Sequence, residues 1–346
     1  TSNNHSCDRG SKGVARTLDK LDELGVAHTG TFRSQAERDK VYPLMVERNG
    51  MKIAMLNYTY GTNGLSVSKP LIVNYIDSIV IKKDVLRAKE LGAEYIVCNM
   101  HWGKEYKLLP NSYQKTYEQL CYRIGVNMVI GGHPHVVQPI VKKEINGEDK
   151  LTVWSLGNFV SNMQVRHTRG GVMVGATIKK EDNKITLGEV KHHIVYVLAK
   201  QEGATKPYYI LPDFDYNKFR LDFLGKVDIT RMEQYFSDAR KLYTDENKGT
   251  KESIVSEESS IGQLYIKYLT QYYSVLLPKT DDALLMDSNL SEYLHETLRS
   301  DGTNAILSGI CSTKEQAAAN LQFIKYCGMT EAKLVLVKPG KIESIE

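Results

Sequence analysis

Val126-Asn127-Met128-Val129-Ile130-Gly131-Gly132-His133-Pro134-His135 reads as a buried strand running into a glycine-entered turn that carries two imidazoles. An apolar run without alternation suits a strand covered on both faces. Two imidazoles two positions apart, just past the strand end, are a compact arrangement for gripping metal ions. The same order of signals stands upstream. A helix over 78–91, carrying Ile79, Val85, Leu86 and Ala88, is stopped by Gly92, and a strand over 94–100 then ends at His101. The helix over 112–124, stopped by Gly125, leads into the opening stretch. Helix, glycine, buried strand and histidine, twice over, imply crossover connections in a largely covered sheet. Both histidine sites then fall at the carboxyl ends of strands, the edge where open α/β sheets bind ligands.

The totals set the frame. A chain of 346 residues with 42% hydrophobic content can bury a large α/β domain and a smaller companion. Lys and Arg number 45 against 41 Asp and Glu, a balance of +4 with the signs interspersed, which argues against nucleic acid as a partner. No apolar run reaches the roughly 18 residues needed to cross a bilayer. The five cysteines follow no CxxC pattern, against a structural zinc site or a redox dithiol. The chain opens at Thr1, without a methionine and in the midst of a motif, so we expect a longer gene product.

Outward from the centre, 12–24 reads as an amphipathic helix with Val14, Leu18 and Leu21 on one face and Gly25 as its stop. A short strand follows over 26–31, and a polar helical turn over 34–39. Two β-like runs, 41–47 and 52–60, flank Asn49 and Gly50, a pair suited to a tight hairpin. A loop over 61–70 is placed to border a site. Downstream come a strand over 151–155, an antiparallel pair 171–179 and 184–197 about Asp182 and Asn183, and a linker over 207–212. Helices are expected over 228–243 and 261–277, separated by the polar stretch 244–260, and a small βαβ unit over 305–310, 314–326 and 333–337. Tyr265, Tyr268, Tyr272 and Tyr273 fall at helical spacing, which favours a packing face over a glycan platform. The expected division is 1–204, 205–304 and 305–346.

His101, His133 and His135 supply nitrogen ligands and Asn4 an amide oxygen for divalent transition metals. Metals so held polarise a phosphoryl oxygen and activate a water. His5 would then be free to protonate the leaving oxygen, with Asp8 as its orienting carboxylate. His28, His167, His192, His193 and His295 lack such context and read as structural. Arg9, Trp102 and Asn158 are candidates for substrate contact. For Arg9 a surface ion pair, and for Trp102 core packing, are the competing readings.

Asn3, Asn4, His5 with Asp8, Arg9, Gly10; His101, Trp102, Gly103 with Glu105, Tyr106; Gly132, His133, Pro134, His135 with Gln138, Pro139; and Ser155, Leu156, Gly157, Asn158, Phe159 together resemble the CapA-type capsule-synthesis (poly-γ-glutamate synthesis) family, a branch of the calcineurin-like metallophosphoesterases. The resemblance covers roughly the first 200 residues. It implies a four-layer α/β sandwich, two mixed sheets packed face to face with helices outside. It also implies Asn4, His101, His133 and His135 as metal ligands for two divalent ions (Mn, Fe or Zn) and His5 as the catalytic histidine. The superfamily's Asp-x-His and Gly-Asp motifs, source of the bridging carboxylate, precede the Asn-His motif and have no counterpart here. Metal binding in this chain is therefore expected to be weak or absent, and full in a longer protein.

The tail, through Ser308, Gly309, Ser312, Thr313, Lys314, Ala317 and Gly328, resembles a sporulation-related repeat, a peptidoglycan-binding module. That likeness sets Cys311 and Cys327 at one end of the unit, where an oxidising compartment would allow a disulfide. The reading is a metal-dependent phosphoesterase-like protein of the bacterial cell envelope, extracytoplasmic and anchored through an N-terminal segment. It acts in capsule or anionic-polymer synthesis, on an anionic polymer or phosphoester, with peptidoglycan and other capsule-synthesis proteins as partners. The alternative is a non-catalytic polymer- or peptidoglycan-binding scaffold with a remnant metal site.

Overall fold

In the computed structural model the described residues are 1–182, 184–200, 206–214, 224–254, 272–278, 294–298, 304–311, 313–326, 329–338 and 341–345. They form two units, Thr1–Pro212 with Arg231–Ser253, and Asp213–Thr230 with Ile254–Glu346.

The first unit is built on a six-stranded sheet. Its strands lie in the order β2 (Leu44–Arg48), β3 (Met51–Thr59), β5 (Tyr95–His101), β6 (Met128–Gly132), β8 (Glu148–Val153), β7 (Ile140–Ile145). The four central strands are parallel and the two outer ones antiparallel to their neighbours. The β2–β3 hairpin turns at Asn49 and Gly50, both at positive φ (50° and 70°), as an Asn-Gly turn requires. Parallel neighbours need crossovers, and α3 (Ser78–Glu90) and α4 (Ser112–Ile124) provide them. Asp77 caps α3, an Asn111/Gln114 capping box opens α4, and Gly92 and Gly125 close the two at φ 82° and 105°.

Side chains alternate across the sheet with a period of two. Leu56, Ile96, Cys98 and Val129 face Ile81, Val85, Ala88 and Cys121 of the helices. Met128, Ile130, Leu151 and Val153 face the other way, onto Val172, Val174 and Ala176 of a second sheet. That second sheet joins β9 (Gly170–Glu181), β10 (Lys184–Ala199), β11 (Tyr208–Pro212) and β12 (Lys251–Glu252). From Arg231 onward, α5 (Lys226–Glu246) covers it. Tyr235 packs edge-on to Tyr196 at 6.0 Å and Tyr243 to His192 at 4.9 Å. Helix, sheet, sheet, helix is the expected four-layer α/β arrangement. The chain start adds α1 (Gly10–Glu23), whose Val14 and Leu18 pack with Cys7 and Val73. Beside it, β1 (Thr31–Phe32) pairs with β4 (Ile72–Val73).

The second unit holds a five-stranded sheet in the order β14 (Leu294–Leu298), β15 (Asn304–Cys311), β13 (Tyr272–Leu276), β16 (Lys333–Lys338), β17 (Lys341–Ser344). With α6 (Lys314–Tyr326), strands β15 and β16 make the expected βαβ unit. The antiparallel β13 is inserted between them, and the core is Val275, Ala317, Leu321, Ile324 and Leu334. Cys327, Ser312, Gly328, Asn183, Tyr265 and Tyr268 lie outside the described residues, and Cys311 is a free thiol.

Several expectations need correction. Of the strand expected over 26–31 only its last residue enters β1: Val26 and Ala27 are exposed, and burial begins only at Gly30 and Thr31. On α3 the buried face is Ile81, Asp84, Val85 and Ala88, while Ile79 and Leu86 are about three-fifths exposed (62% and 59%). The linker expected over 207–212 is β11: its prolines sit at or next to the strand ends, where proline is tolerated, and Leu211 is buried against the core. Tyr272–Leu276 is a strand and not part of a helix, its aromatic and β-branched residues being paired on both sides. The boundary accordingly falls at 212 and not 204, and 231–253 return to the first unit and do not form part of a separate extension.

Candidate metal centre

Three neighbouring strands deliver the site. Thr59, His101 and Gly132 are in register at the carboxyl ends of β3, β5 and β6, so Tyr60, His101 and His133 emerge side by side. The Trp102 amide donates to Gly132 O at 3.0 Å and the Tyr60 amide to His101 O at 2.9 Å, which locks the strand exits together. Gly131 has no room for a side chain. A Cβ there would lie 2.0 Å from Trp154 O and 2.6 Å from Trp102 Nε1. Beyond it, His133 and His135 take φ of 98° and 59°, conformations that non-glycine residues seldom adopt and that concentrate at functional sites.

The opening residues complete the ring. Asn4 is buried, and its Oδ1 lies 2.8 Å from His101 Nε2 while its Nδ2 donates to Asn63 Oδ1 at 3.2 Å. The rings of His101 and His133 are 4.9 Å apart, and those of His133 and His135 6.2 Å. Asn4, His101, His133 and His135 therefore converge. Burial, then the neighbouring imidazoles, push the His101 pKa down to about 3, and burial lowers that of His133. Both are neutral at physiological pH, with lone pairs available to a cation.

His5 is exposed, and its Nδ1 lies 2.8 Å from Asp8 Oδ2, the pairing expected for an imidazole oriented by a carboxylate. It follows Asn4, whose side chain contacts His101, and so lies beside the site. Arg9 is exposed just before α1.

Two sequence-based assignments change. Trp102 is fully buried, stacks on Trp154 at 5.7 Å and donates from Nε1 to Trp154 O at 3.1 Å, so it is core and lines no cleft. Asn158 is buried and both ends of its amide are engaged: Oδ1 meets His135 Nδ1 at 2.9 Å, and Nδ2 donates to Thr168 O at 2.7 Å. That geometry directs Asn158 at the His135 ring and leaves it no hydrogen-bonding atom for substrate. With Nδ1–H donating to Asn158, His135 keeps its Nε2 lone pair for a metal. Asn158→Leu is expected to weaken Mn²⁺ binding by about ten- to hundredfold in a calorimetric titration; unchanged affinity would show that the contact does not orient the ligand.

Three residues at the site were given no role in the sequence reading. Tyr60 lies over His133 with centroids 4.6 Å apart and parallel to His101 at 6.4 Å, and Tyr106 stacks on His135 at 6.3 Å. Glu105 brings a carboxylate oxygen to a group in which one ligand atom each from Glu105, His133 and His135 lie within 4.8 Å of one another. Its signal was an acidic residue four positions after His101, inside a quoted motif.

The donors fit a divalent ion. His133 Nδ1 is buried with no hydrogen-bond partner, so it has a lone pair or proton that nothing in the protein satisfies. Asn4 Oδ1 accepts from His101 Nε2 at 2.8 Å, a spacing close to the roughly 3.0 Å between ligands at about 2.1 Å on adjacent octahedral positions, which the pair would take once an ion replaces the shared proton.

Residues 1–163 match the family described as bacterial capsule synthesis protein PGA_cap. The chain is 31% identical over 185 residues to the PGA biosynthesis protein CapA of Bacillus subtilis (strain 168), covering 52% of this chain and 46% of that protein. It is 26% identical over 211 residues to the capsule biosynthesis protein CapA of Bacillus anthracis, covering 59% and 48%. The chain thus spans about half the length of the curated relatives it matches. Among solved structures, the NAD nucleotidase of Haemophilus influenzae aligns with a TM-score of 0.39 at 13% identity, over 77% of this chain and 48% of that one. The sulfate thiohydrolase SoxB of Thermus thermophilus aligns at 0.25 and 14%, over 72% and 35%. Likenesses of that extent carry no functional inference.

Proposed function

We propose, from the match of residues 1–163 to the bacterial capsule synthesis family, that this chain works in capsule or poly-γ-glutamate synthesis as a metal-dependent phosphoesterase-like hydrolase. The observation that carries the hydrolytic reading is the meeting of Asn4, His101, His133 and His135 beside the His5–Asp8 pair. The two divalent ions that these residues would help to hold would supply Lewis acidity toward a phosphoryl oxygen. Asn4 and His101 present adjacent donors, Asn158 fixes the His135 tautomer, and burial keeps His101 and His133 unprotonated. With its Nδ1 proton held by Asp8, the doubly protonated His5 ring would give its Nε2 proton to the departing alkoxide and remain as the neutral imidazole. Tyr60 and Tyr106, 40% and 51% exposed, wall the opening and set the lateral position of a bound group.

On this reading the chain works in the cell envelope, outside the cytoplasm, with an anionic polymer or phosphoester as substrate and other capsule-synthesis proteins as partners. Among the described residues no helix is long and apolar enough to cross a membrane. Hydrolysis of bis(p-nitrophenyl) phosphate with added Mn²⁺ tests the reading. His133→Ala is expected to remove the Mn²⁺-dependent rate, a loss of at least about a hundredfold. Activity untouched by that substitution would favour the non-catalytic polymer-binding reading.

A further inference from the structure

The four matched ligands, Asn4, His101, His133 and His135, are all uncharged, and a dication moved out of water onto neutral donors keeps its full desolvation cost uncompensated. The structure supplies a charge from another place. Glu105 lies on the loop that follows β5, and this loop is anchored to the histidine turn at several points. The Tyr106 amide donates to Pro134 O at 2.8 Å, and the Tyr106 ring stacks on His135. Gln138 Nε2 donates to Lys107 O at 2.8 Å, and Gln138 in turn accepts from the buried Gln114 at 2.8 Å. Gly103 and Tyr106, at φ 92° and 63°, bend the loop back over the turn. At Gly103 a Cβ would stand 2.8 Å from the Gln114 side chain. These contacts fix the backbone of the loop, and with it the place from which the Glu105 carboxylate reaches the two imidazoles.

We propose that Glu105 is an anionic ligand of this centre, forming with His133 and His135 a two-histidine, one-carboxylate face for a divalent transition metal. Donors bound at about 2.1 Å on one face of an ion stand about 3.0 Å apart. The three ligand atoms, now within 4.8 Å of one another, therefore draw together by at most about 1.8 Å. Glu105 is exposed, and rotation about its own side-chain bonds makes that movement. His135 offers Nε2, its Nδ1 being held by Asn158, and His133 has a buried Nδ1 without a partner. Two imidazoles with one carboxylate suit Mn²⁺, Fe²⁺ or Zn²⁺ and leave positions open for water or an anionic substrate.

The inference rests on the metal-centre reading above, and its test separates the two. Mn²⁺ affinity is measured by calorimetry on the 346-residue chain, and Co²⁺ loading by its visible absorption, for the unaltered chain, His133→Ala, Glu105→Gln and Glu105→Asp. The expected result is binding by the unaltered chain, none by His133→Ala, and a loss of at least about tenfold in Glu105→Gln with a changed Co²⁺ spectrum. Glu105→Asp, which keeps the charge, should recover part of the affinity. Glu105→Gln with unaltered affinity and spectrum, while His133→Ala loses binding, overturns the role of Glu105 and leaves the metal centre standing. Failure of the unaltered chain to bind either ion overturns both. A Gln variant that loses binding together with its folded circular-dichroism signal counts for the inference only if Glu105→Asp is folded and binds.

Discussion

Arg38→Met destabilises the first unit by about 3–5 kcal/mol, the cost of leaving a buried carboxylate without its cation. Arg38 Nη2 lies 2.6 Å from Asp84 Oδ2, and the two side chains are 13% and 6% exposed. Tyr58 donates its hydroxyl to the same oxygen at 2.8 Å, and Arg38 Nε donates to Asn74 Oδ1 at 2.9 Å. The guanidinium also lies over the Tyr42 ring at 4.5 Å. Methionine fills much of the volume, but Asp84 then keeps one neutral donor on α3 beneath the sheet. Each kcal/mol moves the melting point by roughly 2–4 °C in a unit of this size, so a fall of about 6–20 °C is expected by calorimetry. Removing the charge as well, in Arg38→Met with Asp84→Asn, should return most of the loss, because Tyr58 still has an acceptor. A double variant no more stable than the single one would show that packing, and not the stranded charge, is responsible.

His5→Ala slows hydrolysis of a phosphoester with an alkyl leaving group by about 10²–10⁴, the usual worth of a placed general acid. The same change slows the p-nitrophenyl ester by less than about tenfold, since p-nitrophenolate departs without a proton. The contrast follows from the geometry. His5 is exposed, follows Asn4 at the site, and is tied by Nδ1 to Asp8, an arrangement that leaves Nε2 to hand over a proton. Rates for the two esters, compared in wild type and variant, read the role without reference to folding, because a folding defect lowers both alike. Equal losses on both esters would remove His5 from proton delivery.

What the sequence disclosed and what it hid follow a physical division. The helix, glycine, strand, histidine order was legible because each signal is local: Gly92 and Gly125 adopt the left-handed conformation that stops the helices, and the strands behind them are buried. From that order alone came the common edge on which His101 and His133 stand. β7 was missed because its residues, Ile140 to Ile145, include two lysines and a glutamate, although Asn146 and Gly147 at φ 54° and 78° carry the same hairpin signal that was read at Asn49 and Gly50. β11 and β13 were missed because pairing with distant partners, and not their own composition, makes them strands. At the site, Asn4, His101, His133 and His135 were found by motif. Glu105 and Tyr60 were not, because nothing in a linear sequence says that the loop after β5 folds back onto Pro134. Trp102 shows the converse, a residue beside a ligand that belongs wholly to the core.

The positive φ angles at His133 and His135 have a consequence for how this chain can change. Glycine is the residue that relaxes such a backbone at no steric cost, so the substitutions that most ease the turn are those that delete the two imidazoles. A population of variants sorted for thermal resistance alone would be drawn toward glycine at 133 and 135, and one sorted for metal capture would be held at histidine. The turn thus sets stability and chemistry against each other at the same two positions, and improvement of one must be sought elsewhere in the molecule.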